Sequence, residues 1–165
     1  MQAALASFAT QAAFRLRRSR QLTRRLSIFA TTSRHKPGYR RWSREIIYRI
    51  PTADTGRLIT DALNLFAEIY NPAMAYHRAG VLLYDFAPAG QLQTDLLGQV
   101  DTRQHTRAHT RMRAIDSLNE RYGKRTVRYA VEDLATAWQP KRQSRSPRYT
   151  THFDELPRAH PTLLR

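Results

Sequence analysis

The sequence predicts an α+β fold, and three observations carry the prediction. Two segments repeat apolar residues at helical spacing. Three short segments alternate apolar and polar residues, as half-buried strands do. Cap and turn residues separate these segments in the order helix, strand, strand, helix, strand. Beyond a stretch with few apolar periods, a shorter helix and strand pattern returns, so a small second α+β unit is expected there.

The elements follow in chain order. Leu5, Phe8, Ala9, Ala12 and Leu16 fall on one face of a first helix. Leu26, Ile28 and Ala30 then alternate with Ser27, Phe29 and Thr31 in a first strand. His35-Lys36-Pro37-Gly38-Tyr39 is a turn cluster. A second strand is expected over 43–50, with Ile46, Tyr48 and Ile50 on one face and Glu45, Ile47 and Arg49 on the other, ended by Pro51. Thr52 or Asp54 is placed to cap the next helix. That helix carries the strongest stripe of the chain: Leu58, Ile59, Ala62, Leu63, Phe66, Ile69 and Tyr70. Asn71-Pro72 stops it, and a third strand is expected over 77–86. Ala87-Pro88-Ala89-Gly90 opens a linker through about residue 104. Residues 107–122 read as a helix on Ala108, Met112, Ile115, Leu118 and Tyr122, with Gly123 as its left-handed cap. Thr126–Ala130 reads as a short strand, and 131–138 as a further helical stretch.

Charge narrows the function. The chain holds 28 Lys+Arg against 13 Asp+Glu, a formal net charge of +15. No Asp or Glu precedes Glu45, whereas Arg15, Arg17, Arg18, Arg20, Arg24, Arg25, Arg34, Lys36, Arg40, Arg41 and Arg44 all do. Unmixed positive charge repels itself and calls for a polyanionic counter-surface, of which phosphate backbones are the usual example. Arginine predominates, which suits bidentate phosphate contacts. Lys141, Arg142, Arg145 and Arg148 form a second cluster.

Other chemistries find little support. With no cysteine there is no disulfide, thiolate metal site or thiol nucleophile, a composition in keeping with a reducing cytoplasm. No apolar run approaches the roughly 20 residues that span a bilayer, so no membrane partner is expected. The Arg-rich, acid-free residues 1–34 resemble a transit peptide in composition, but their periodicity reads as folded structure. His105 and His109 have metal-ligand spacing on a helix, yet cations surround them and no glutamate lies between, so a solvated face is the better reading. Trp42 and Trp138 adjoin basic residues and are read as rim-of-core residues rather than base-stacking platforms. The acids are scattered, and no clustered carboxylates for two-metal chemistry emerge.

Several motifs together carry a family resemblance. Trp138-Gln139-Pro140-Lys141-Arg142, Ser146-Pro147-Arg148-Tyr149-Thr150-Thr151, Ile115-Asp116-Ser117-Leu118-Asn119-Glu120-Arg121-Tyr122-Gly123 and Gln93-Thr94-Asp95-Leu96-Leu97 resemble the C-terminal part of UmuC-type Y-family translesion DNA polymerases. The resemblance covers about residues 2–160, tighter over 112–157 than over 1–90. It implies a truncated ferredoxin-like little-finger DNA-binding domain at 1–87, a linker with a clamp-binding peptide at 88–106, and the family's C-terminal domain at 107–165. The family's little finger runs strand-helix-strand-strand-helix-strand, so the first strand is missing here. The resemblance places that strand centrally, between the last strand and the second hairpin strand, and its loss is expected to leave two unpaired edges. An internal start and a truncated or split gene product are both open.

The resemblance also implies the sites. Arg24, Arg25, Ser27, Thr31, Arg34, Arg40, Arg41 and Arg49 are the expected DNA-backbone contacts, which position without reading sequence. Gln93, Asp95, Leu96 and Leu97 are the expected sliding-clamp contacts, with Gln93 in a polar subsite and the leucines in an apolar pocket. Thr94 and Leu97 depart from the family's Leu and Phe, which predicts weaker clamp binding. No catalytic residue, metal or cofactor is expected in this chain; Mg²⁺ belongs to the full-length family. The implied partners are damaged DNA, the sliding clamp, the UmuD dimer and the RecA filament in the cytoplasmic SOS response. The alternatives are a stand-alone basic α+β nucleic-acid-binding protein and an enzyme with an unrecognised site.

Overall fold

The computed structural model describes residues 1–89, 102–133 and 146–156. Its elements are α1 (Gln2–Arg18), β1 (Gln21–Thr31), β2 (Arg41–Thr52), α2 (Thr55–Ile69), β3 (Arg78–Pro88) and α3 (Thr102–Tyr122), followed by short 3-10 turns at Ala130–Asp133 and Phe153–Glu155. This is the expected α+β order, consistent with a truncated ferredoxin-like little finger.

The strands form one antiparallel sheet in the order β2-β1-β3. β1 pairs β2 with Leu26 opposite Ile46, and pairs β3 from Gln21 opposite Pro88 to Thr31 opposite Arg78. This corrects the expected strand order. No gap lies between the last strand and the hairpin, because β3 bonds directly to β1. The free edges are therefore β2 and β3, and β1 is satisfied on both sides. Between Thr23 and Arg25 the β1–β2 register shifts at a bulge.

The two helices cover one face. Leu26, Ile28 and Ala30 point into the core against Leu5, Leu58, Ala62 and Phe66, all nearly or fully buried. Asp54 caps α2 by accepting from Gly56 N at 3.0 Å. The α2 stripe holds, with Leu65 added and Tyr70 exposed. Arg15, Arg17 and Arg18 stand in the last turn of α1, where the helix dipole favours cations.

Several local expectations need correction. α1 buries Ala3, Ala4, Ala6 and Ala13 rather than Ala12, because it packs on the sheet, on α2 and on the C-terminal segment together. Pro51 does not end β2, which runs to Thr52. β2 is an edge strand, where a missing N–H costs nothing. Thr126–Ala130 is no strand but a turn region leading into Ala130–Asp133. α3 starts earlier than expected. Of its apolar stripe Met112 is buried, while Leu118 and Tyr122 are exposed. Gly123 does take a positive φ, +106°.

The C-terminal segment rests on the helical side. Arg17 Nε and Nη2 donate to both carboxylate oxygens of Asp116, each at 2.7 Å. Its Nη1 donates to Ala53 O at 2.7 Å and to Thr55 Oγ1 at 2.8 Å. Arg111 Nη2 lies 2.6 Å from Asp54 Oδ2. The Glu132 carboxylate, 3% exposed, accepts from Thr10 Oγ1 at 3.1 Å and Tyr129 N at 3.3 Å. Tyr129 packs on Gly56, where an added Cβ would lie 3.1 Å from the phenol oxygen. Burial and then the Asp54 charge raise the Tyr129 phenol above its ordinary range.

Candidate nucleic-acid interface

The sheet face opposite the helices has no covering layer among the described residues. Strand alternation and register set what it displays. Arg41, Ser43, Glu45 and Ile47 of β2 stand opposite Thr31, Phe29, Ser27 and Arg25 of β1, which face Arg78, Gly80, Leu82 and Tyr84 of β3.

Phe29 organises one half of this face. Its ring lies over Gly80, so closely that a Cβ on Gly80 would sit 2.4 Å from a ring carbon. Only glycine leaves that slot open. The Arg41 guanidinium stands 5.3 Å from the same ring centroid, a cation–π placement that holds the charge at the surface. Arg25 organises the other half. It lies 3.8 Å from Glu45 and 3.6 Å from Asp85, with the Tyr84 ring beneath it, and Tyr84 Oη donates to Glu45. Its charge is thus largely met within the sheet. Ile47, Leu82 and Phe86 remain about half exposed.

The expected DNA contacts divide accordingly. Arg24, at the bulge, is exposed, and so are Arg34, Arg40, Arg41 and Arg49; none has an acidic partner among the described residues. Arg34 stacks over Tyr39 at 5.5 Å in the β1–β2 loop. Backbone N–H of Arg40 donates to Thr32 Oγ1 at 2.9 Å, which fixes that loop against the strand end. Ser27 is half-buried and donates to Arg44 O at 3.1 Å. Thr31 is buried, 5% exposed, which takes its side chain out of the exposed set. Its carbonyl accepts from His77 N at 2.8 Å. Arg25 is neutralised as described. Residues missed from sequence are Arg78, Leu82 and Gly80; carrying the β1 alternation across to the third strand would have found them.

The expected clamp residues Gln93, Asp95, Leu96 and Leu97 lie outside the described residues, as do Trp138, Lys141, Arg142 and Arg145. Arg148 is held by Glu155 through its backbone N at 2.6 Å and Nη2 at 2.7 Å. The backbone bond first, and then the guanidinium, lower the Glu155 carboxyl below its ordinary range. Trp42 packs edge-on against Tyr76 at 5.5 Å beside the core, as its rim reading expects. Among the described residues no three His, Cys, Asp or Glu side chains gather to hold a metal. No helix among them is long and apolar enough to cross a membrane.

Comparison with known proteins gives the family. The C-terminal domain of the impB/mucB/samB family matches residues 1–96, and a domain of unknown function, DUF4113, matches residues 111–159. Protein SamB of Salmonella typhimurium is 34% identical over 162 residues, 96% of this chain and 37% of SamB. Protein UmuC of Salmonella typhimurium strain LT2 is 33% identical over 159 residues, 94% of this chain and 37% of UmuC. Protein MucB of Escherichia coli is 31% identical over 158 residues, 95% of this chain and 37% of MucB. The chain therefore spans about 37% of the length of each of these relatives. An α+β domain with this element order, matched over more than half its length by one family, belongs to the impB/mucB/samB family of UmuC-type Y-family polymerases and corresponds to their C-terminal region.

Proposed function

We propose that this chain is the DNA-gripping, non-catalytic part of an error-prone translesion polymerase. It holds the primer–template backbone on the open sheet face and the sliding clamp through residues 93–97, in SOS-induced repair and mutagenesis. The observation that carries the reading is the open sheet face. Arg24, Arg40, Arg41 and Arg49 are exposed there or at its rim without acidic partners, beside a core-backed scaffold that fixes their positions. Such guanidinium groups bind phosphate without reading bases. The half-exposed Ile47, Leu82 and Phe86 offer apolar contact to sugar edges between them. In this family reading the UmuD dimer and the RecA filament are further partners, and Mg²⁺ serves the catalytic region.

The test is duplex binding across a salt series. Each phosphate contact contributes a slope of about −0.9 in log K against log salt. Replacing Arg24, Arg40, Arg41 and Arg49 by Gln is expected to flatten the slope and weaken all sequences alike. Unchanged binding, or loss confined to one sequence, refutes the sheet-face reading. A preference for structured RNA over DNA supports the stand-alone nucleic-acid-binding reading instead. Primer extension by the chain with Mg²⁺ and dNTPs refutes the non-catalytic assignment. For the clamp, the double change Leu96→Ala and Leu97→Ala is expected to abolish a weak complex seen by surface plasmon resonance. Parental binding by that variant refutes the peptide.

A further inference from the structure

The two edges of the sheet are built differently. β2 carries Arg41, Arg44 and Arg49 against the single acid Glu45, and it holds Pro51. Charge and proline are the usual means by which an edge strand refuses a neighbour. β3 has Pro88 only at its last residue, and its charges are one Arg78 and one Asp85. It is the neutral strand of the three, since β1 holds Arg24 and Arg25 without an acid. β3 bonds to β1 on one side and has no strand on the other among the described residues. Its apolar groups are incompletely covered on both faces. Val81 and Leu83 pack at the core but stay partly exposed, whereas Ile28 and Leu26, their partners on β1, are fully buried. On the open face Leu82 is 47% exposed. The sheet therefore stops at an apolar, uncharged stretch of backbone between Arg78 and Asp85.

We infer that this edge pairs with the β3 edge of a second copy of the chain, antiparallel about a two-fold axis. A strand added at a sheet edge draws affinity from main-chain hydrogen bonds and selects its partner through side chains. Here the side chains are self-complementary. Antiparallel pairing brings the Arg78 end of each strand to the Asp85 end of the other and sets the apolar residues between them face to face. Arg78 stands on the open face by strand alternation. The Asp85 carboxylate reaches the same face, 3.6 Å from Arg25, so the two charges meet on one side. Parallel pairing would set Arg78 beside Arg78. A second copy is favoured over a foreign strand because the two charges of β3 are placed to answer each other. A two-fold axis normal to the sheet also keeps both open faces on one side, so two sheets join into one continuous surface. Asp85 has a positive φ, +58°, and the bend there confines the seam to about 78–84. So short a seam is a small interface, and weak, concentration-dependent association is expected. The net charge of +15 on each copy opposes it. Added salt is therefore expected to strengthen the pairing, the reverse of duplex binding. Nothing in this inference rests on the proposed function.

The experiment is sedimentation equilibrium of the full chain, freed of nucleic acid, over a series of protein and salt concentrations. The mass is expected to rise from 19.2 kDa toward twice that value as either concentration increases. A parent that stays at 19.2 kDa throughout overturns the inference. Leu82→Lys puts like charges at the seam and is expected to hold the mass at the monomer value. Ile47→Lys, on β2 and 59% exposed in the parent, is expected to associate as the parent does. Equal loss in both variants would mean that open faces stack, and association in both would place the contact elsewhere; either overturns the edge pairing. Should circular dichroism show Leu82→Lys unfolded, charge exchange decides. Arg78→Glu is expected to weaken association, and Arg78→Glu combined with Asp85→Arg to restore it. No weakening, or weakening without rescue, overturns the antiparallel arrangement. Hydrogen exchange separates edge from face as well: amides in 78–84 are expected to slow with protein concentration, and those in 41–52 to stay unchanged. The opposite pattern assigns the seam to β2 and overturns the inference.

Discussion

Arg17 and Arg24 are seven residues apart in an acid-free, arginine-rich stretch, yet the fold gives them opposite surroundings. Arg17 is 13% exposed at its side chain and spends its donors on Asp116, Ala53 and Thr55. Arg24 is exposed at a bulge and has no acidic partner among the described residues. Arg25, its neighbour, sits between the two cases, half-buried between Glu45 and Asp85. A basic run is thus not one functional unit. What separates a cation spent on the fold from one left free at the surface is whether an acid from a distant element reaches it.

The largest test of this contrast is Arg17→Ala. Loss of a largely buried bidentate pair and two further bonds is expected to cost about 2–3 kcal/mol, read by urea denaturation. A double-mutant cycle with Asp116→Ala is expected to show strong coupling. Stability within error of the parent would make Arg17 a surface residue and erase the contrast. Gly80→Ala comes next. Its Cβ displaces the Phe29 ring, which sits on an open face and can swing, so the cost is expected to be about 1 kcal/mol. Duplex affinity is expected to fall with it, because Arg41 loses its support. Loss of stability with no loss of affinity would show that Phe29 does not position Arg41.

A finer comparison sets Arg24→Gln against Arg25→Gln. The first is expected to reduce the salt slope by about one contact, roughly 0.9, with little change in stability. The second is expected to change the slope less, since Glu45 and Asp85 already meet that charge. Equal slopes would mean that those carboxylates do not compete with phosphate.

The smallest effect concerns Tyr48. Burial, and then the neighbouring Asp61 carboxylate, raise its phenol well above the ordinary tyrosine range. The folded state therefore holds this proton more tightly than the unfolded chain does. That contribution is whole below the unfolded value of about 10 and is lost as pH rises further. The hydroxyl is buried without a hydrogen bond of good geometry. Tyr48→Phe is expected to change stability at neutral pH by no more than about 0.5 kcal/mol and to flatten part of the alkaline decline in a pH series of melts. An unchanged alkaline limb would assign the decline elsewhere.

Much of this was legible in the sequence. The strict alternation of Leu26, Ile28 and Ala30 and the stripe from Leu58 to Ile69 both mark a single buried face, and such patterns survive without tertiary knowledge. What was not legible depended on contacts far along the chain. α1 buries alanines on several sides because the Ala130–Asp133 turn covers it, 122 residues away at the Thr10–Glu132 bond. The strand order depended on which neighbour β3 chose, and no local pattern encodes that. Thr31 alternates correctly with its neighbours but is buried at the strand end, where His77 N–H bonds its carbonyl. Arg25 reads like Arg24 until Asp85 arrives from β3.

The bulge at Thr23 has a consequence for how β1 finds its alignment in the sheet. Thr23 is fully buried, and its hydroxyl lies 2.7 Å from Arg25 O and 2.8 Å from Tyr84 O, on two strands at once. The competitor for any antiparallel ribbon is the same ribbon displaced by one residue, which turns every side chain over. Here that displacement would send Leu26, Ile28 and Ala30 to water and draw Arg25 inward. It would also part the Thr23 hydroxyl from Tyr84 O of β3. The bulge thus works as an indexing notch, giving the correct alignment a feature that its nearest wrong neighbour cannot reproduce.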